Sequence, residues 1–307
     1  MMFTVVIPLF NKEQFIRTAI ISVLQQSYSD FELLVIDDGS TDGSGEIVKN
    51  FTDPRLKYVN KEHAGVAATR NVGIQMATST TIAFLDADDW WAPTFLEEAA
   101  AAIAKFPTEK LFATGRIHVL EDERKEYKNI FLPDVGETAK INHYKVISQY
   151  LPAINMSNAV VLKQHVEKQG YFAEGMQNHE DHEFWLRLAV GTDIVFVNKP
   201  LSFYRKTSAA SQSHKVFTAN DFETYLNTCR EVQLKLSEKE QKWFQTYLNK
   251  FVVLSYIKYR NQYTKNETEL LQTKIEGILT GFYSVQYRIT KSFPNINVYR
   301  ILKRLND

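Results

Sequence analysis

A single cysteine, Cys229, stands among the 307 residues of this chain, so no intrachain disulfide supports the fold and a reducing compartment is compatible with it. Long apolar runs are also lacking. None approaches the roughly 18 residues of a membrane-spanning helix, and the N-terminus starts as a strand without the basic and apolar regions of a signal peptide. The expectation is a soluble or peripheral, cytoplasmic protein. Excess charge of one sign is missing too: 36 Lys and Arg balance 36 Asp and Glu, which removes any global signal for nucleic acid. No Gly-x-Gly-x-x-Gly follows the first apolar run, which argues against a dinucleotide-dependent dehydrogenase. His179 and His182 stand three apart, yet the His-Glu-x-x-His spacing is absent and no cysteine is near, so a zinc site is disfavoured. Internal repeats and low-complexity segments are absent as well.

What the chain does have is a 44% hydrophobic composition, enough to bury a sizeable core in two domains or in one large domain with an appendage. Phe3 to Pro8 is a β-branched run, and from Phe15 the apolar residues Phe15, Ala19, Ile20, Val23 and Leu24 recur at helical spacing. Phe31 to Ile36 reads as a second strand, stopped by the turn cluster Asp37 to Gly43; Leu56 to Val59 reads as a third. A helix over 65–77 leads into a strand at Thr81 to Leu85, and Pro93 opens a helix over 94–105. Strands separated by helices predict a mostly parallel central sheet flanked by helices. From Glu121 to Lys140 the pattern is charged and irregular, as expected of an excursion over one face that meets an acceptor or forms a lid. Strand character returns at Ala159 to Leu162 and Asp193 to Val197, with a helix at Glu180 to Val190 between them. Beyond a boundary near 215, Phe222 to Leu236, Glu240 to Tyr263 and Glu267 to Phe282 read as helices.

The most informative stretch is Thr81-Ile82-Ala83-Phe84-Leu85-Asp86-Ala87-Asp88-Asp89-Trp90-Trp91, an apolar strand that ends in three closely spaced carboxylates. Hard cations take oxygen ligands, typically one or two carboxylates plus substrate phosphates, and open α/β sheets place ligands at strand ends. A solvated acidic loop would have the same composition. Three further motifs precede it in order: Val6-Ile7-Pro8-Leu9-Phe10-Asn11-Lys12, then Val35-Ile36-Asp37-Asp38-Gly39-Ser40-Thr41-Asp42, then Gly65-Val66-Ala67-Ala68-Thr69-Arg70-Asn71. Together with Glu180-Asp181 they make the chain resemble glycosyltransferase family 2, inverting enzymes of GT-A fold that use nucleotide sugars. The resemblance covers about residues 3–110 without a break, and the final 90 residues match nothing recognised.

The resemblance implies a GT-A domain over 1–214, with a nucleotide-binding half (1–110) and an acceptor half (111–214), followed by an α-helical region over 215–307. It implies that Pro8 and Asn11 line the nucleotide pocket. Asp37 and Asp38 suit the imide N–H of uracil or a ribose hydroxyl, the Gly39 turn letting the backbone approach the base. Arg70, with Asn71 beside it, suits the diphosphate or the carboxylates of the site. The family's Asp-x-Asp falls on Asp86 and Asp88: Asp88 is the expected ligand of Mn2+ or Mg2+, Asp86 meets the ribose or metal-bound water, and Asp89 supports them. Asp181 is the expected base for the acceptor hydroxyl, with Glu180 as its understudy. The donor is then a nucleotide sugar, with UDP favoured, and the acceptor a glycan or lipid-linked saccharide of surface polysaccharide biosynthesis.

Departures from the family pattern are visible. Its Tyr-Arg-x-His is Tyr204-Arg205-Lys206-Thr207 here, which leaves the third metal-site ligand open; His214 substitutes only if its loop folds back, and a solvent-facing histidine is the favoured reading. The Gln-x-x-Arg-Trp of processive synthases is missing, which favours single-sugar transfer. From Glu240 onward 11 Lys and Arg face 5 Asp and Glu. The tail from Tyr283 to Leu305, with Tyr287, Arg288, Lys291, Phe293, Tyr299, Arg300, Lys303 and Arg304, suits anionic headgroups at the inner face of the cell membrane, and equally a helical cap or dimer surface. Two rival functions carry the same acidic motif: a haloacid-dehalogenase-like phosphohydrolase, and a nucleotide-sugar or glycan-binding module without turnover.

Overall fold

A computed structural model describes residues 2–121, 123–149, 151–206, 217–281, 283–284 and 287–288. In the N-terminal half, β1 (Phe3–Leu9), α1 (Ile16–Leu24), β2 (Phe31–Asp37), α2 (Ser44–Lys49), β3 (Leu56–Asn60), α3 (Val66–Met76) and β4 (Thr81–Phe84) follow one another as the hydrophobic periodicity predicts. Then come β5 (Trp90–Trp91), α4 (Phe95–Lys105), β6 (Leu111–Leu120), β7 (Glu123–Glu126), β8 (Thr138–Ile141), α5 (His143–Ile147), β9 (Ala159–Leu162), α6 (Lys163–Gln169), α7 (Glu180–Leu188) and β10 (Ile194–Arg205). Helices α8 (Ala219–Lys235), α9 (Glu238–Tyr259) and α10 (Lys265–Glu276) close the described chain.

One sheet runs through the molecule in the order β3-β2-β1-β4-β9-β6-β10-β5, with β7 on β6 and β8 on β10. Parallel pairing holds across β3-β2-β1-β4 and again at β6-β10, while β9 enters antiparallel between β4 and β6. β1 and β2 are buried at every position because helices cover both faces of the sheet. Alternation then divides their side chains. Val6 faces α3 and belongs to the core that continues to α7 and the C-terminal helices, whereas Phe3, Val5 and Ile7 belong to the core shared with α1 and α4. Each such buried aliphatic or aromatic side chain contributes about 1.5–3 kcal/mol of transfer free energy.

Two regions depart from the sequence-based expectation. The charged stretch over 121–140 is not wholly irregular: β7 pairs back on β6 and β8 pairs on β10. β10 also runs on past Pro200, with register shifts between Val197, Pro200 and Ser202 that let one strand serve two stretches of β6. The three C-terminal helices start two or three residues earlier than their apolar periodicity predicts, because capping boxes precede it: Thr218 with Asp221, Ser237 with Glu240, and Thr264 with Glu267. Their apolar faces, including the buried Cys229, share one continuous core with α5 and α7. No helix among the described residues is long and apolar enough to cross a membrane. Thr207, His214 and the tail beyond Arg288 lie outside the described residues. Tyr287 is buried and meets Tyr256 edge-on at 5.1 Å, so that aromatic of the tail packs inward.

Candidate active site

Because β1, β2 and β4 are parallel neighbours, the loops that leave their carboxyl ends gather on one rim of the sheet. Hydrogen bonds stitch the first two loops together. Asn11 takes a left-handed backbone at φ 50°; its Oδ1 accepts from Thr41 N–H at 2.8 Å, and its own N–H donates to Ser40 Oγ at 3.0 Å. Lys12 N–H donates to Ser44 Oγ at 2.8 Å, and Glu13 Oε2 accepts from Gly43 N–H at 2.8 Å. Pro8 is buried in β1, paired with Ile36.

Asp37 and Asp38 prove to be organisers of these loops. Asp37 is 1% exposed and accepts from Ser40 N–H at 2.8 Å and Tyr58 Oη–H at 2.6 Å. Asp38 accepts from the N–H groups of Ala64 and Gly65, both at 2.9 Å, and pairs with Lys61 and with His63 Nδ1. Burial pushes Asp38 up, but Lys61 and the two backbone donors outweigh it and hold the carboxyl below its ordinary range. The open wall beside them is aromatic: exposed Phe10 stacks on His63 with centroids 4.4 Å apart. Gly39, at φ 75°, sits so close that a Cβ there would lie 3.3 Å from His63 N.

The acidic loop after β4 carries three carboxylates in two settings, one enclosed and two partly open. Asp89 is 1% exposed, accepts from Ser157 Oγ–H and takes Arg205 N–H at 2.8 Å; burial and the charges of Asp88 and Asp86 push its carboxyl well up. It is an internal strut. Asp86 and Asp88 stay partly open, at 28% and 23% side-chain exposure, and each faces a protein cation at close range. Arg70 Nη2 donates to Asp86 Oδ1 at 2.9 Å and Lys12 Nζ to Asp88 Oδ2 at 2.6 Å. Arg205 lies along the same loop: its Nε donates to the Asp88 carbonyl at 3.0 Å, and its guanidinium rests 4.9 Å from the Phe15 ring and 4.7 Å from Trp90.

Arg70 also reaches the far side of the site, donating from Nη1 to Glu180 Oε1 at 2.9 Å. One guanidinium thereby ties the acidic loop to the start of α7, with Glu180 lying 110 residues beyond Arg70 in the sequence. Glu180 is pushed up to about 7, mainly by its enclosure, with Arg70 pulling the other way and Asp181 adding to the rise. Enclosure also raises Asp181, but His182, Arg70 and His179 overcome it and leave that carboxyl below its ordinary range. Asp181 Oδ1 accepts from His182 N–H at 2.8 Å. Asn71 is the exception to the expected set. Its amide donates to Phe172 O at 3.1 Å and Glu174 Oε1 at 2.9 Å and accepts from Phe172 N–H, so it secures the loop before α7.

Asp86 and Asp88 present oxygen donors that fit a hard divalent cation completing its shell with phosphate oxygens. Among the described residues no group of three or more His, Cys, Asp or Glu is arranged as an all-protein metal site, and the His179 and His182 rings meet edge-on at 5.1 Å without a third ligand. Phe10, Lys12, Lys61 and Arg205 are the site residues that sequence reasoning missed. Phe10, Lys12 and Arg205 lay within motifs it had read; Lys61 carried no signal, since its place depends on β2 and β3 being neighbours.

A parallel nucleotide-type half-sheet whose rim carries an Asp-x-Asp and an opposing acidic helix start defines the glycosyltransferase class, and the chain belongs to glycosyltransferase family 2: residues 4–157 match the family described as Glycosyl transferase family 2. The haloacid-dehalogenase alternative falls with that match. The UDP-Glc:alpha-D-GlcNAc-diphosphoundecaprenol beta-1,3-glucosyltransferase WfgD of Escherichia coli is 40% identical over 103 residues, 33% of this chain and 41% of that protein. Of two bacterial relatives that align over 66% of this chain, the aligned stretch spans only 30% and 32% of their own length. Among solved structures, S. aureus TarS 1-349 in complex with UDP-GlcNAc superposes with a TM-score of 0.68 at 19% identity, covering 97% of this chain and 93% of that one. The mannosyltransferase PcManGT from Pyrobaculum calidifontis, in complex with GDP-Man and Mn2+, gives 0.61 at 16% identity, covering 99% and 83%. At these identities the structures speak for the GT-A fold.

Proposed function

We propose that this chain is a metal-dependent inverting glycosyltransferase that moves one sugar from a UDP-sugar to a hydroxyl of a glycan or lipid-linked saccharide in surface polysaccharide biosynthesis. The observation that carries the reading is the Arg70 bridge, which holds the nucleotide-side carboxylate Asp86 and the acidic pair opening α7 in one network. Asp181 is the base in this reading: its carboxyl, held below the ordinary range, is ionised near neutrality and open to a proton, and Glu180, pushed up to about 7, is its understudy. Asp181 takes the proton of the acceptor hydroxyl as its oxygen bonds to the anomeric carbon; the bond from that carbon to the diphosphate breaks, and one displacement inverts the centre. Asp88 and Asp86 would hold Mn2+ or Mg2+, which supplies a Lewis acid for the charge growing on the departing diphosphate. Phe10 offers an aromatic face to the nucleobase, beside the loops that Asp37 and Asp38 hold after β2 and β3. Residues 1–214 are the catalytic domain in this reading, and the described helices α8 to α10 share a core with its α5 and α7.

WfgD, whose name carries a UDP-glucose donor and a diphosphoundecaprenol acceptor, and TarS, solved with UDP-GlcNAc, favour a uridine donor and a lipid-linked or polymeric acceptor. A thermal-shift screen of nucleoside diphosphates with and without Mn2+ tests the reading, since a ligand of the folded state raises its apparent stability. UDP with Mn2+ should give the largest shift. Equal indifference to every nucleotide would overturn it.

A further inference from the structure

We propose that His179 is a positioning residue for the transfer step, and that Phe217 and Phe251 of the C-terminal region clamp its ring so as to aim Glu180 and Asp181 into the site. The proposal rests on the reading of Asp181 as base and gives the C-terminal helices a part in the chemistry.

His179 is the residue immediately before the acidic pair, and it caps α7 in a left-handed backbone, φ 63° and ψ 17°, with no side-chain cap bond. A non-glycine residue holds that conformation only where its surroundings over-determine it. Here the surroundings come from more than 35 positions away. The His179 ring meets Phe217 edge-on at 4.6 Å and Phe251 of α9 at 5.3 Å, and lies 6.2 Å from Tyr225 of α8. These rings are themselves held: Tyr263 Oη–H donates to the Phe217 carbonyl at 2.8 Å, and the hydroxyls of Tyr225 and Tyr247 bond at 2.7 Å.

Two polar ties act on the same segment. Asp221, in the capping box of α8, accepts from Gln177 N–H at 3.1 Å, two residues before His179. Thr228 Oγ–H donates to Glu183 Oε1 at 2.8 Å, and Glu183 N–H donates to the His179 carbonyl at 3.0 Å. Enclosure, with the neighbouring His182, lowers the imidazole to about 3. Without the clamp, the first turn of α7 is free to choose another backbone, and both carboxylates turn with it.

The test uses His179→Gly, which frees the backbone and deletes the ring, His179→Ala, which deletes the ring and keeps the strained φ, and Phe251→Leu, which touches neither substrate nor base. Hydrogen exchange should quicken about tenfold at 177–183 in all three and stay unchanged at 36–45. UDP release from UDP-glucose, UDP-galactose and UDP-GlcNAc with Mn2+, measured well below each melting temperature, should show kcat down by about tenfold or more with KM unchanged. Unchanged exchange at 177–183, or faster exchange with an unchanged kcat per folded molecule, overturns the proposal. Asp181→Asn in the same assay separates the two readings: if it retains turnover, the base assignment fails, while the exchange measurement still reports on the clamp.

Discussion

The ammonium of Lys12 lies 2.6 Å from Asp88 Oδ2, an ion pair that joins the loop after β1 to the loop after β4 across 76 residues of sequence. Asp86, the other carboxylate of the Asp-x-Asp, is matched in the same way by Arg70. Each carboxylate of the Asp-x-Asp thus points at a place where positive charge is stabilised.

Asp88→Ala should abolish the Mn2+-dependent part of nucleotide binding. At a ligand concentration about a hundredfold above Kd, the lost stabilisation amounts to about 2.7 kcal/mol and is read as the missing thermal shift. A metal-dependent shift of wild-type size in the variant defeats the assignment of Asp88.

Asp181→Asn should keep UDP binding and lose turnover, by about 10²- to 10⁴-fold for the removal of a general base. Nucleotide binding by calorimetry and donor consumption under saturating UDP-sugar separate the two effects. Turnover equal to wild type removes Asp181 from the mechanism.

Glu180 makes stability depend on pH in a direction opposite to that of most paired carboxylates. Its folded value of about 7 lies above the ordinary 4.5, so between those limits the folded protein holds a proton that the unfolded chain has released. Stability from this group is present below the lower limit and is lost as pH rises through the upper one. Urea midpoints from pH 4.5 to 8 should fall less steeply in Glu180→Gln; parallel profiles would contradict the assignment. Asp38 has the opposite sign, being held low, and its contribution is lost as pH falls below the ordinary carboxylate range.

Arg70→Met leaves Asp86 and Glu180 without their common partner. Removing one member of a buried ion pair costs about 3–5 kcal/mol, and Arg70 is only 3% exposed. Chemical denaturation should register the loss at neutral pH and a smaller one in acid, where the two carboxyls are protonated. A loss that does not change with pH would show that packing on Phe172 matters more.

Gly115→Ala tests the bend in β10. A Cβ there would lie 2.7 Å from the Lys199 carbonyl oxygen, a backbone atom that cannot yield without shifting the strand that delivers Arg205. Overpacking of this kind costs about 1–3 kcal/mol. Wild-type stability in the variant would mean that the bend relaxes freely.

Much of the fold was legible in residue order. β1, β2 and β4 are continuous apolar runs, and α1, α3 and α4 are amphipathic, so local chemistry alone placed them. The long β10 was read only as far as Val197, because Lys199 and Pro200 break its pattern; pairing with β6 on either side of the break carries it through. The early starts of α8 to α10 were hidden because capping residues are polar and lie outside the apolar periodicity.

The sequence by itself determined which carboxylates this protein has and that two of them close an apolar strand, since residue type and strand period are properties of adjacent positions. Tertiary structure decided what each one does. Asp37, Asp38 and Asp89 are carboxylates like Asp88, yet the fold encloses them among close donors, while Asp86 and Asp88 stay partly open against Arg70 and Lys12. Glu180 and Asp181 are neighbours in the chain with carboxyls displaced in opposite directions. That difference arises because ionisation depends on the charges and solvent around each oxygen, and those include a charge from a segment as distant as α3, which brings Arg70.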